Sequence, residues 1–223
     1  MVDTHRVTRA CGLAAPVIAL GAIFLSTCIA SPETFTWRNR ALSDMGRPGT
    51  ETFWVFNGGL ILAGVIGIPF VHRVWDESTN RLERVGAGML GVSLAGMIGV
   101  GLFFLEHTTY YLSTDLHGPA ALTTFAAAPI AAIGYGLGAY RAGTTHLAVA
   151  SLAAGTLQLA SWIVWGAYVH LLASTSTTWF AVPEFVAAGC LGAWVVVLAI
   201  ESVRSRADSV PTAGERDERS RAE

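Results

Sequence analysis

Six stretches of the sequence limit this chain more than any motif does: residues 10–30, 54–71, 85–105, 118–140, 147–172 and 180–200, each close to 20 residues long and almost free of charge. A bilayer core about 30 Å thick is crossed by a helix of about 20 mostly apolar residues, and a chain in lipid must satisfy its backbone polar groups internally. The period-two alternation that a membrane barrel needs is absent. The predicted fold is therefore all-α: a polytopic bundle of six transmembrane helices within residues 1–203. Residues 204–223 are polar, lack an apolar face and are expected to form a disordered cytoplasmic tail. The composition agrees, with 52% hydrophobic and only 13% charged residues, against roughly a quarter charged in soluble domains.

An even number of spans puts both termini on one side, and the arginines decide which. All 14 basic residues are Arg, and eight near-membrane arginines fall on the face of the termini: Arg6, Arg9, Arg73, Arg81, Arg84, Arg141, Arg204 and Arg206. The opposite face has Arg38, Arg40 and Arg47, all in the first loop. The positive-inside bias then predicts cytoplasmic N- and C-termini in a cell membrane. A rival reading takes "STCIASPE" as the end of a cleaved signal peptide; it would leave five spans and spoil the arginine balance. A net charge of −2 gives no reason to expect a nucleic-acid partner; the expected partner is the lipid bilayer.

With this threading, scattered polar residues gather on one face. Ser43 and Asp44 precede the second span, Glu106 and His107 end the third, and Asp115 and His117 lead into the fourth. His170 ends the fifth and Glu184 begins the sixth. Local roles exist for each: Asp115 can cap a helix, Glu184 can complement a helix N-terminus, and His107 and His170 can sit at the lipid interface. Yet the third and fifth loops carry acids and histidines without one Lys or Arg. Asn57 and Gln158 lie deeper, where an amide is expected to bond a neighbouring helix. Gly134 and Gly138 form a small-xxx-small pair suited to close helix approach.

The stretch "ALSDMG" followed by "FWVFNGGLILAG" resembles the signature of an uncharacterised, chiefly archaeal membrane protein family, the domain of unknown function numbered 998. The similarity extends to Phe103 to Glu106, to Leu116-His117 and to an acid followed by an apolar run with Trp194, over roughly residues 10 to 200. The resemblance implies six spans and a Ser-Asp loop before the second. It implies no activity. The chain departs from the family where a Phe-Pro-acid turn is usual: it reads "FFLEHTTYYLSTDLH", without proline and with His107 added.

Three functions compete. A membrane-embedded metal-dependent hydrolase would use His107, His117 and His170 for zinc and a nearby carboxylate as general base, although paired histidines on one late helix are missing. A haem carrier is disfavoured because the histidines sit at helix ends rather than within facing helices. The third class is a non-enzymatic binder, carrier or accessory protein. Its pocket would face outward and comprise Ser43, Asp44, Asn57, Glu106, Asp115 and Glu184, and it would accept a small molecule or lipid headgroup. The absence of a charged residue near the middle of any span argues against a proton-driven pump. The residues favour the third class, with cofactor, ligand and oligomeric state left open.

Overall fold

A computed structural model describes residues 4–173, 175 and 177–207, with side chains to Glu201. Most of the predicted tail lies outside the described residues. Among the described residues, six helices are long and apolar enough to cross a membrane: α1 (Thr4–Ile29), α2 (Phe53–Glu77), α3 (Arg81–Leu102), α4 (His117–Arg141), α5 (Thr145–Leu171) and α6 (Ala181–Ala207). They pack as a closed ring in chain order, with α6 returning to α1 and the α3–α4 contact the most extensive. Large apolar side chains such as Val17, Phe24, Leu122, Ile163 and Val164 remain exposed on the outside of the ring. In water such a surface would be a liability; in a bilayer it is the solvated one. Below, the odd-loop end is the end formed by residues 30–52, 103–116 and 172–180, and the terminal end is the opposite one, where α1 begins at Thr4.

Helix limits depart from the apolar stretches where polar side chains support or stop the helix. α2 runs six residues past its apolar run, because His72 pairs with Asp76 (3.0 Å) and Arg73 with Glu77 (2.8 Å) at i,i+4 spacing. α3 starts at a full capping arrangement. Asn80 Oδ1 accepts from Leu82 N (3.0 Å) and Glu83 N (3.1 Å), and the Glu83 carboxylate accepts from Thr79 N (2.6 Å) and Thr79 Oγ1 (2.9 Å). At the other end α3 stops at Leu102, three residues early, because Phe103 leaves the helical region and Glu106 adopts a left-handed φ of 70°. Asp115 caps as expected, its Oδ1 accepting from His117 N at 3.0 Å.

Small residues set the α3–α4 distance, as the pair at Gly134 and Gly138 predicts. A Cβ on Gly138 would lie 2.7 Å from Glu83 N, and one on Gly134 3.7 Å from the Gly86 Cα. The other walls of the ring are less extensive, and the space they leave on its axis is the cavity described next.

Candidate functional site

The first loop folds back into the bundle through a short 3-10 segment, Leu42–Gly46, whose Met45 is fully buried. Three attachments hold it. Asn57 Nδ2 donates to Gly46 O (2.9 Å) and to Phe53 O (3.0 Å) on its own helix, so the amide ties loop to α2 rather than helix to helix. Glycine is required there, since a Cβ on Gly46 would lie 2.5 Å from Asn57 Oδ1. Thr52 Oγ1 donates to Met45 O at 2.7 Å. The third attachment reaches across the molecule: Leu42 N donates to Glu184 Oε2 at 2.7 Å. Glu184 thus serves another segment's backbone instead of its own helix terminus.

The same segment anchors an ion-pair network through Asp44. Asp44 Oδ2 accepts from Ala41 N (2.8 Å) and its Oδ1 from Arg47 Nε (2.8 Å), with Arg40 at 3.7 Å. Arg47 also pairs with Glu106. The bond to Asp44 raises the Arg47 guanidinium above its ordinary value. Nearby, Glu51 accepts from Ser31 N, and this backbone bond holds its carboxyl at about 2, below the usual 4.5.

Beneath the 42–46 segment lies a cavity of about 100 Å³ on the ring axis, lined by all six helices. Leu60, Leu90, Leu94, Met97, Leu191 and Val195 are typical of its walls. Polar wall residues are few: Ser43, His117, Thr124, Gln158 and Glu184. Thr124 Oγ1 donates to Ala120 O within its own helix (3.0 Å). His117 is buried, and its Nδ1 lies 2.7 Å from Phe103 O. A carbonyl can only accept, so in the neutral ring Nδ1 carries the proton and Nε2 is left with its lone pair. Gln158 Nε2 donates to Ala154 O (3.2 Å), whereas its Oε1 is buried and accepts no hydrogen bond among the described residues.

The predicted site residues therefore occupy three places. Ser43, His117 and Glu184 line the cavity. Asp44, Asn57 and Glu106 organise the loop that covers it. Asp115 caps α4 from an exposed position, and His170 is exposed at the end of α5. His107 is fully buried, with Nδ1 2.9 Å from Phe104 O and Nε2 3.2 Å from Thr114 O, so both nitrogens face carbonyls. Among the described residues, no three His, Cys, Asp or Glu side chains are grouped as a metal ion would require. Two cavity-lining polar residues are missing from the predicted set, Thr124 and Gln158. The mid-span amide of Gln158 is the usable signal, and its expected bond to a neighbouring helix is instead a bond to Ala154 of its own helix.

Six membrane-length helices around an apolar cavity define a polytopic membrane protein with an internal chamber. The chain matches the family model described as "Protein of unknown function (DUF998)" over residues 13–201, and it belongs to that family. No curated protein and no solved structure matches it.

Proposed function

We propose that this protein is a non-enzymatic binder or carrier of a small amphipathic molecule, which lies in the ring cavity with its apolar part along the shaft and its polar part beneath the 42–46 segment. The observation that carries this reading is the division of the cavity wall. Five polar residues, Ser43, His117, Thr124, Gln158 and Glu184, interrupt a surface that is otherwise apolar from Phe56 to Val195. A void of this size exceeds what one water needs, and water would also require two to four polar partners at each position. Most of the shaft offers none. A hydrocarbon segment suits it better. The arginine asymmetry supports an orientation with both termini cytoplasmic, so the polar, covered end of the cavity faces outward from the cell membrane.

The test is native mass spectrometry of protein released from polymer-extracted membrane discs. The expected result is a retained low-mass adduct on the wild type, lost in Ala128→Phe, which fills the shaft from α4. An adduct that persists unchanged in a folded Ala128→Phe variant, or a wild type without any adduct, would overturn the reading.

A further inference from the structure

The first loop carries the arginines of the odd-loop end, and they are not used alike. Arg47 bonds Asp44 and Glu106, and Arg40 pairs with Asp44 and donates to the Glu33 carbonyl (3.1 Å). Arg38 is exposed, and its guanidinium makes no hydrogen bond or ion pair among the described residues. Its backbone is fixed all the same: Arg38 O accepts from Trp179 N at 2.7 Å, which ties the first loop to the segment before α6.

Arg38 borders an open recess of about 350 Å³ at the end of α5, which shares no wall residue with the ring cavity. The rest of its polar wall is Asn39, Tyr168, Thr175 and Thr178. Thr178 is buried and held in place, its carbonyl accepting from Trp165 Nε1 (3.0 Å) and its hydroxyl lying 2.8 Å from that of Thr175. The Asn39 amide and the Tyr168 hydroxyl have no hydrogen bond among the described residues. Amide and hydroxyl groups can donate or accept, so the sign of the recess is set by Arg38, the one charged residue in its wall. An arginine near a helix C-terminus can instead cap the last carbonyls. Here Tyr168 O is met by Leu172 N (2.9 Å) and Ala173 N (3.2 Å), and the Arg38 guanidinium bonds no carbonyl.

The setting narrows the anion. Trp165, Tyr168 and Trp179 stand at or beside the recess, and such aromatic residues gather where a membrane meets water. Val164 and Leu171 lie at i−4 and i+3 from Tyr168 and so share its face of α5. Both are exposed, as is Leu172 of the recess wall. An apolar strip therefore runs from the recess along the outside of the bundle, where a lipid chain lies. A guanidinium meets phosphate oxygens through paired N–H groups.

We infer that this recess is a binding site for a phosphate group, with Arg38 as its charged partner and Asn39, Tyr168 and Thr175 as supporting hydrogen-bonding groups. The phosphate belongs to an anionic lipid headgroup or is free in solution; the strip on α5 favours the lipid. The site is separate from the ring cavity and goes beyond the binding reading above.

The experiment uses the full chain in dodecyl maltoside and reads phenylglyoxal modification of arginines by peptide mass mapping. Three probes are added at matched ionic strength: dioctanoyl phosphatidylglycerol, dioctanoylglycerol, which has the same chains without the phosphate, and inorganic phosphate. The expected result is that phosphatidylglycerol slows modification of Arg38 about tenfold and leaves Arg84, exposed at the terminal end, unchanged. Dioctanoylglycerol should protect neither. Protection by phosphatidylglycerol at lower concentration than by inorganic phosphate assigns a lipid headgroup, and protection by inorganic phosphate at equal or lower concentration assigns the free ion; either supports the inference. In titration calorimetry the protecting compound should bind Arg38→Gln about tenfold more weakly than the wild type. Failure of both phosphate compounds to protect Arg38 would overturn the inference. So would equal protection of Arg84, dioctanoylglycerol protecting as well as phosphatidylglycerol, or unchanged binding to Arg38→Gln. None of these outcomes bears on the ring cavity, whose test uses Ala128→Phe.

Discussion

Both ends of the bundle bury charged and polar side chains, and they use them differently. At the terminal end, Glu83 is 4% exposed and Arg73 is 8% exposed. Glu83 accepts two hydrogen bonds from Thr79, and Arg73 binds Glu77 and the His5 carbonyl (2.6 Å). These groups hold helix ends together. At the odd-loop end, Glu184 and His117 are buried to a similar degree, but each engages one side of its polar group and lines a cavity. Burial alone therefore does not distinguish architecture from a site. An unused hydrogen-bonding position next to empty space does.

The largest effect that would test this contrast is at the terminal end. Gly138→Val places atoms where α4 touches Glu83 N and Asn80 Oδ1, and it is expected to cost about 3 kcal/mol. Thermal unfolding in detergent measures the loss, while adduct retention per folded molecule should stay unchanged. At the odd-loop end, Glu184→Ala leaves the Leu42 N–H buried without an acceptor, a cost of about 2 kcal/mol. Retention of the adduct should fall with it. Glu184→Gln should recover most of the stability, because its amide oxygen can accept from Leu42; if it does not, charge rather than the hydrogen bond holds the covering segment.

The smallest effect concerns the exposed edge of the first loop. Glu51 has its folded value depressed to about 2 from 4.5, so its contribution is complete above pH 4.5 and disappears as the pH falls toward 2. Relative to Glu51→Gln, the wild-type segment between Ser31 and Glu51 should resist pepsin better near pH 4.5 and equally near pH 2. A constant ratio across that window would show that the Ser31 contact does not order the loop.

The six spans were legible because lipid demands length and apolarity, both of which are visible residue by residue. Their ends were less so. The extension of α2 depends on i,i+4 pairs inside a polar stretch, and the early stop of α3 on the backbone conformation of Phe103 and Glu106, neither of which an apolarity count registers. Sequence reading also gathered the polar residues at one end, and the structure sorts them by depth. Ser43 and Asp44 are neighbours in the chain, yet Ser43 lines the cavity and Asp44 joins the network with Arg47. That separation is produced by the tight 3-10 turn and cannot be read from adjacency. Gln158 was visible as a mid-span amide, but its bond to its own helix and its buried oxygen, without a hydrogen bond among the described residues, are facts of packing.

The ring has a consequence for how the molecule comes into being. Its main contacts join helices consecutive in the chain, apart from the closure of α6 against α1. Helices can therefore enter the membrane as successive hairpins, each finding its neighbour as it emerges, with little long-range search. The chamber is different. Its wall includes Glu184, Leu191 and Val195 of α6 together with Ala15 and Leu20 of α1, so it exists only once α6 meets α1, and a chain that stops before α6 leaves an open trough to the lipid.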